Sequence, residues 1–440
     1  MGNYSHFPRS AQGARGRIGV VYYHGLNHGS GNEEAVARLQ RTSEKDTQLT
    51  LNGGRVSDGI ARLRFPSQLI IRTEGEESQA SLTIVGTGVD GSPLVEGDVS
   101  LRSKLIITRN RFLSVSKIRL DGPLRGQIRI GVRVEPGNVE FRYTDDEGKT
   151  WSDPYPLGDG LSRGDGFHYA PSLGGLPDGT FVATFLRSAA TDGRVELVER
   201  ISFDNGATWA PTKAFNYSGA KPKTTLYIDH IQPTPLGRLV ATGYAGPDNW
   251  VFVSDDKGET WYAHLIVSTD SKVDYNEMGL AVVSESNWVG VARVNSGAVP
   301  GSLRQFVTHD AGLSWRDLGP TNVDPAGGYV SPGLQVVRCG RQPVLALAYM
   351  ARSARFAQPP NPNSIVLRFA TVASVMNTAR SWTPEQVIST AGTFPVRSGY
   401  PTIEILKDCK SGLILMGRET SFTTADVVSF VFRLPTNWLE

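Results

Sequence analysis

The pattern Ser/Thr-x-Asp-x-Gly-x-x-Trp occurs four times in this 440-residue chain, each time at the end of a strand-rich stretch of similar length. The copies begin at Thr144, Ser202, Ser254 and Thr308, and their tryptophans, Trp151, Trp209, Trp261 and Trp315, follow one another at intervals of 58, 52 and 54 residues. A recurrence on that scale describes a row of similar supersecondary units rather than one continuous fold. Each motif reads as a tight turn between strands. The aspartate accepts backbone N–H groups across the turn, the glycine supplies a backbone angle costly for other residues, and the hydroxyl adds a local hydrogen bond. The tryptophan then opens the next strand and buries its ring against the neighbouring turn. Such a motif is scaffolding, not catalysis.

Between the motifs a second signature repeats: a short apolar strand, a turn, another apolar strand. It is seen from Pro171 through Pro177-Asp178-Gly179 to Arg187, and again from Ile231 through Gly237 to Tyr244. Alternation and β-branched content suit strands. No sustained helical period occurs, and only Glu33 to Gln40 suggests a short helix. Complete units are expected near 164–215, 222–266, 275–318 and 328–390, with a last one from about 395. Trp382 and Trp438 continue the spacing after the full motif is lost. Direct counting therefore gives five units, and the strand Val139 to Tyr143 is expected to complete the last.

The repeated motifs are the Asp boxes of sialidase-like β-propellers, and from Phe167 to the C-terminus the sequence resembles that superfamily. The resemblance implies an all-β, sialidase-like Asp-box β-propeller of six blades where counting gives five. A sixth blade would have to come from residues of about 105–151. Residues 1–65 read as an irregular N-terminal attachment segment, 66–135 as a small β-sandwich-like module and 136–440 as the propeller. The stretch Thr83-Ile-Val-Gly-Thr-Gly, with Phe112-Leu-Ser-Val-Ser-Lys-Ile and Ile128-Arg-Ile-Gly-Val, resembles β modules of tailed-phage virion proteins.

Composition narrows the function classes. With 45 Lys and Arg against 43 Asp and Glu, and no basic run, nucleic-acid binding has no electrostatic support. No apolar run approaches the length of a membrane span, and Met1-Gly-Asn-Tyr-Ser-His lacks the apolar core of a signal peptide. Cys339 and Cys409 fall in successive units and could approach one another, although two sparse cysteines read first as free or buried thiols. His24, His28, His168, His230 and His309 lack metal-ligand spacing, so no metal or other cofactor is expected.

In a propeller the ends of the inner strands converge on a central pocket. Second-strand ends would bring Arg187, Tyr244, Arg293, Arg352, Arg418 and Glu419; first-strand entries would bring His168, Asp229, Tyr275, Glu277 and Tyr400. Aromatic rings suit the apolar face of a sugar and guanidinium forks suit a carboxylate. The resemblance assigns finer roles. Tyr400 would be the nucleophile, Glu277 the group that takes its proton, and Arg293 the holder of the substrate carboxylate. Asp229 and Arg352 are positional candidates only. The family's first-blade Phe-Arg-Ile-Pro segment is absent: Arg64-Phe65-Pro66 falls outside the expected propeller.

The expected function is therefore that of a virion tail, fibre or spike protein recognising host-surface glycans, including sialic-acid-like sugars. Its N-terminal region would bind other virion proteins, with a homo-oligomer left open. An exo-sialidase or related glycosidase is the alternative, and a non-catalytic protein-interaction scaffold the second.

Overall fold

The computed structural model describes residues 3–25, 34–41, 46–74, 80–88, 90–122, 124, 126–132, 138–158, 165–189, 195–267, 273–296, 302–321, 330–340, 342–351, 364–390, 399–421 and 424–434. Their regular structure is entirely strand, apart from a four-residue helix, Val372–Val375, and a 3-10 turn, Ala14–Gly16. No helix among the described residues is long and apolar enough to cross a membrane.

Six blades, antiparallel but for the edge strand Tyr217–Gly219 of the third, surround one axis. Their inner strands are Asn3–Gln12, Asp165–Gly175, Tyr227–Pro233, Asp274–Val282, Val330–Val337 and Gly399–Ile405. Each packs against the next, and Asn3–Gln12 packs against both Asp165–Gly175 and Gly399–Ile405, so the ring is closed. The units expected between 164 and 390 are blades two to five.

The first blade overturns two expectations. Residues 3–25, taken for part of an irregular segment, supply its two innermost strands, Asn3–Gln12 and Ile18–Gly25. Asn138–Thr144 and Tyr155–Pro156 finish it. The strand at Val139 to Tyr143 thus lies beside Ile18–Gly25 and not in the last blade. The last blade, Gly399–Ile405, Ser411–Ser421 and Thr424–Arg433, meets the first through a short parallel pairing of Asn3 with Thr424 and Tyr4 with Ala425.

The small β domain sits inside that first blade, between its second and third strands. Its sheet runs in the order Ala37–Arg41, Gln127–Val132, Ile60–Thr73, Leu105–Asp121, Ser81–Thr87, Pro93–Ser100, with Val56–Ser57 beside Ile60–Thr73. Its strands begin well before residue 66, and the stretch read as a helix near Glu33 to Gln40 includes strand Ala37–Arg41. Alternate residues such as Leu69 and Ile71, Leu82 and Ile84, and Ile128 and Ile130 fill a core of its own.

All four boxes share one geometry. In the third, the Ser254 hydroxyl donates to Asp256 Oδ1 at 2.8 Å and accepts from Gly258 N–H at 2.8 Å, while Asp256 accepts from the Thr260 amide and hydroxyl. Lys257 and Gly258 both have positive φ, 61° and 93°, which is why the turn calls for glycine. Trp315 covers its own turn, donating from Nε1 to Gly312 O at 3.2 Å, but two other box tryptophans reach a neighbouring blade. Trp209 packs edge-on against Phe141 of the first blade at 5.0 Å, and Trp261 Nε1 donates to buried Glu199 of the second blade at 3.1 Å. In the fifth blade Trp382, without a box, reaches Gln305 of the fourth at 2.8 Å. The rings therefore staple successive blades together.

The two cysteines, whose pairing the sequence left open, form a disulfide. Both lie on the turns between the first and second strands, of blades five and six, and the ring brings those turns to a Cα–Cα distance of 5.3 Å. At the waist the inner strands almost touch: a Cβ on Gly279 would meet Pro332 O at 2.4 Å, and one on Gly333 would meet Pro401 O at 2.7 Å.

Candidate functional site

Every inner strand shifts register near its start, between His6 and Arg9, Tyr169 and Ser172, Ile228 and His230, Tyr275 and Met278, Val330 and Gly333, and Gly399 and Thr402. In four blades the shift holds a positive-φ residue followed by proline: Phe7-Pro8, Ala170-Pro171, Ser331-Pro332 and Tyr400-Pro401. Proline has no N–H to give the ladder, so pairing breaks there and the bulged residue is re-aimed.

These bulges build one axial cavity of about 60 Å3, lined by Phe7, Arg9, Tyr169, Tyr227, Asp229, Tyr244, Glu277 and Tyr400 among others. Tyr227 and Tyr244 stack in parallel at 4.9 Å, and Phe7 meets Tyr400 edge-on at 4.6 Å. Glu277, only 7% exposed, accepts from Arg293 Nη1 at 3.0 Å and from the Ser331 amide at 3.2 Å. Burial opposes the charge of Arg293, and Glu277 with Tyr400 and Tyr244 more than restores it. The buried Nε of Arg293 has no hydrogen-bond partner among the described residues.

Asp229 is the most buried carboxyl of the group. Its Oδ2 accepts the Met278 amide at 3.0 Å, and burial pushes its pKa up to about 7, against the pull of nearby Arg9. Burial, with Tyr227 alongside, also raises Tyr169; burial, with Asp229 and Glu277 nearby, raises Tyr244. These phenols stay protonated.

Arg9 was missed by the sequence reading. Its guanidinium is buried and donates from Nε to Asp229 O at 2.8 Å, from Nη1 to Pro8 O at 3.1 Å and from Nη2 to Ser331 Oγ at 3.2 Å. It lies in a complete first blade, where the absent Phe-Arg-Ile-Pro segment had been sought. The signal that marks it is Phe7-Pro8, the same residue-proline step that marks Tyr400.

The structure thus gathers Tyr400, Glu277, Arg293, Asp229 and Tyr244, and leaves other candidates elsewhere. Arg187 pairs across its hairpin with Glu196. His168 points away from the axis, edge-on to Phe185, because alternation puts its neighbour Tyr169 at the cavity. Tyr275 precedes the bulge that aims Glu277 and packs instead against Phe306 in the core. Arg418 is exposed, outside the cavity lining. Arg352 and the side chain of Glu419 lie outside the described residues.

A closed six-bladed ring with Asp boxes and a bulged axial site defines a sialidase-like β-propeller fold. No family model matches the chain, and no curated protein matches its sequence. Among solved structures it is similar to a protein of unknown function from Dyadobacter fermentans, at 16% identity and a TM-score of 0.58, covering 98% of this chain and 95% of that one. It is also similar to the Hadza microbial sialidase Hz136, at 13% identity and a TM-score of 0.51 over 92% and 99% of the two chains. The leech intramolecular trans-sialidase, solved with 2,7-anhydro-Neu5Ac, gives 10% identity and a TM-score of 0.51 over 93% and 99%. At these identities the likeness is one of fold.

Proposed function

We propose that the axial site binds an acidic sugar at the end of a glycan, with Arg293 taking the carboxylate. The observation that carries this reading is the buried Arg293 Nε, a donor with no partner beside a cavity rimmed by tyrosines. The cavity of about 60 Å3 suits one substituent of the sugar, with the ring above it against Tyr227 and Tyr400. Calorimetry and glycan arrays with sialylated and neutral oligosaccharides test the reading. Acidic glycans should bind, and Arg293→Ala should weaken them at least tenfold. Equal binding of neutral glycans, or indifference to that substitution, removes it.

Glycoside hydrolysis at the same site is a second reading, favoured by the raised pKa of Asp229. Tyr400 Oη would attack the anomeric carbon and pass its proton to Glu277 as the glycosidic bond breaks. Protonated Asp229 would give its proton to the leaving oxygen, and water would then release the sugar from Tyr400. Release of a fluorescent aglycone from a sialoside, lost in Tyr400→Phe and Glu277→Gln, supports turnover; binding without release supports recognition alone.

The setting of this site on a virion tail or fibre, facing host glycans, rests on the strand pattern of the inserted β domain. The Cys339–Cys409 disulfide suits an oxidising environment outside a cytoplasm. Immunoblotting of purified particles tests this setting, and absence from them removes it.

A further inference from the structure

The axis carries a second and larger cavity at its other end, of about 340 Å3, to which all six blades contribute. Arg9 borders both cavities and, bonded to Asp229 O and Ser331 Oγ, forms the partition between them. Nothing in the reading of the upper site uses this lower space.

Its polar lining is rich in groups that both donate and accept. Gln12, Gln232 and Gln335 present amides, and Ser10 and Thr402 present hydroxyls. The amides are pinned on inner strands or beside them. Gln232 Nε2 donates to Leu334 O at 3.0 Å and to Gln335 Oε1 at 3.2 Å, while its Oε1 accepts from the Val282 amide at 3.3 Å. Gln12 Nε2 donates to Ile405 O at 2.7 Å. Leu173 and Leu334 add apolar surface.

The formal charges there are spoken for. Arg338 Nη2 donates to the carbonyls of Val282 and Val283, and Arg9 is bonded as above. Glu404 accepts from the Ser10 hydroxyl at 2.7 Å, and burial pushes it up to about 7. Burial, aided by Arg9, holds His230 well below its usual value and so neutral. A cation would meet Arg9 and Arg338, and an anion would have to draw their guanidinium groups from the carbonyl and hydroxyl oxygens they already hold. An uncharged ligand meets neither penalty.

We propose that the lower axial cavity is a binding site for a neutral polyhydroxylated molecule of monosaccharide size. Each hydroxyl of such a ligand both gives and takes a hydrogen bond, as the amides and hydroxyls require, and the volume falls within the ordinary range of ligand pockets. Amides held by the scaffold lose little freedom on binding.

Saturation-transfer NMR and calorimetry on the full chain test this with glucose, galactose and N-acetylglucosamine, against glucuronate and glucosamine as charged counterparts of similar size. At least one neutral sugar should saturate and bind tenfold or more tighter than either charged one. Gln12→Leu and Gln335→Leu should each weaken it at least tenfold. Gln12 is exposed and Gln335 half-buried, so both replacements leave the core intact. Glu277→Gln, in the upper site, should leave this binding unchanged. The proposal is overturned by no saturation with any neutral sugar, by tighter binding of a charged one, or by binding that survives both glutamine substitutions.

Discussion

Arg9 Nε donates to the carbonyl oxygen of Asp229 at 2.8 Å, joining the first blade to the third across the axis, while Nη2 of the same guanidinium holds Ser331 of the fifth. One side chain therefore fixes the bulges of three blades. Arg9→Met would remove the donor to Pro8 O, Asp229 O and Ser331 Oγ inside the ring, leaving Asp229 O only the Ser172 hydroxyl. The expected loss is about 2–4 kcal/mol of stability by denaturant unfolding, together with loss of ligand binding at the upper site. A variant as stable as the parent would show that the partition is not a keystone.

Stability should fall as pH rises from about 4.5 to 7. Asp229, Glu199 and Glu404 all have folded-state values raised to about 7 by burial, so in that window the folded chain holds protons that the unfolded chain has released. Below about 4 the trend reverses. Asp146 and Asp310, drawn down to about 2 by the hydrogen bonds of their boxes, contribute stability that is lost as pH falls through their folded values. Thermal unfolding across pH 2–8 should show a maximum near pH 4–5, and a maximum at pH 7 or above contradicts the assignment.

Trp261→Phe keeps the apolar ring but leaves Glu199 Oε2 without the indole donor. The cost should be about 1–3 kcal/mol. Because the staple ties the second blade to the third, hydrogen exchange should quicken in both, and a change confined to the third blade would contradict the stapling role.

Replacing Cys339 and Cys409 together by serine frees a loop closed across 70 residues of sequence. The double variant should lose about 2–5 kcal/mol relative to the oxidised protein. Equal denaturation midpoints for the two would mean that the bond adds nothing to the closure of the last blades.

Gly279→Ala places a Cβ against Pro332 O, a backbone atom of the next inner strand that cannot swing aside. A loss of about 1–3 kcal/mol is expected. The fold tolerates alanine at Gly237, where no atom lies within 4 Å, only to the extent that its positive φ allows, so the pair separates crowding from backbone strain.

The boxes made blades two to four legible because each packs a turn, a glycine and a tryptophan into eight residues, and the spacing of Trp382 marked the fifth. The first blade was illegible for the opposite reason. Its box at Thr144 stands far along the chain from Asn3–Gln12, and that inner strand is polar and carries Pro8. The same gap hid Arg9 and made a sixth blade look dependent on residues near 105. Within the site, Tyr400 and Glu277 were found through their motifs. Tyr275 and His168 were misjudged because a place at a strand entry was taken as enough, whereas alternation gives Tyr169 the axial side and a bulge resets the facing between Tyr275 and Glu277. The disulfide needed the ring itself, since only closure brings the turns of blades five and six side by side.

His24 is the register partner of Asn138, so the strands entering and leaving the small β domain end face to face. To the ring, everything between them is a single oversized hairpin loop. Such a loop can be excised, exchanged or lengthened at little cost to the toroid, whereas trimming the chain from its first residue removes a stave of the barrel's innermost wall.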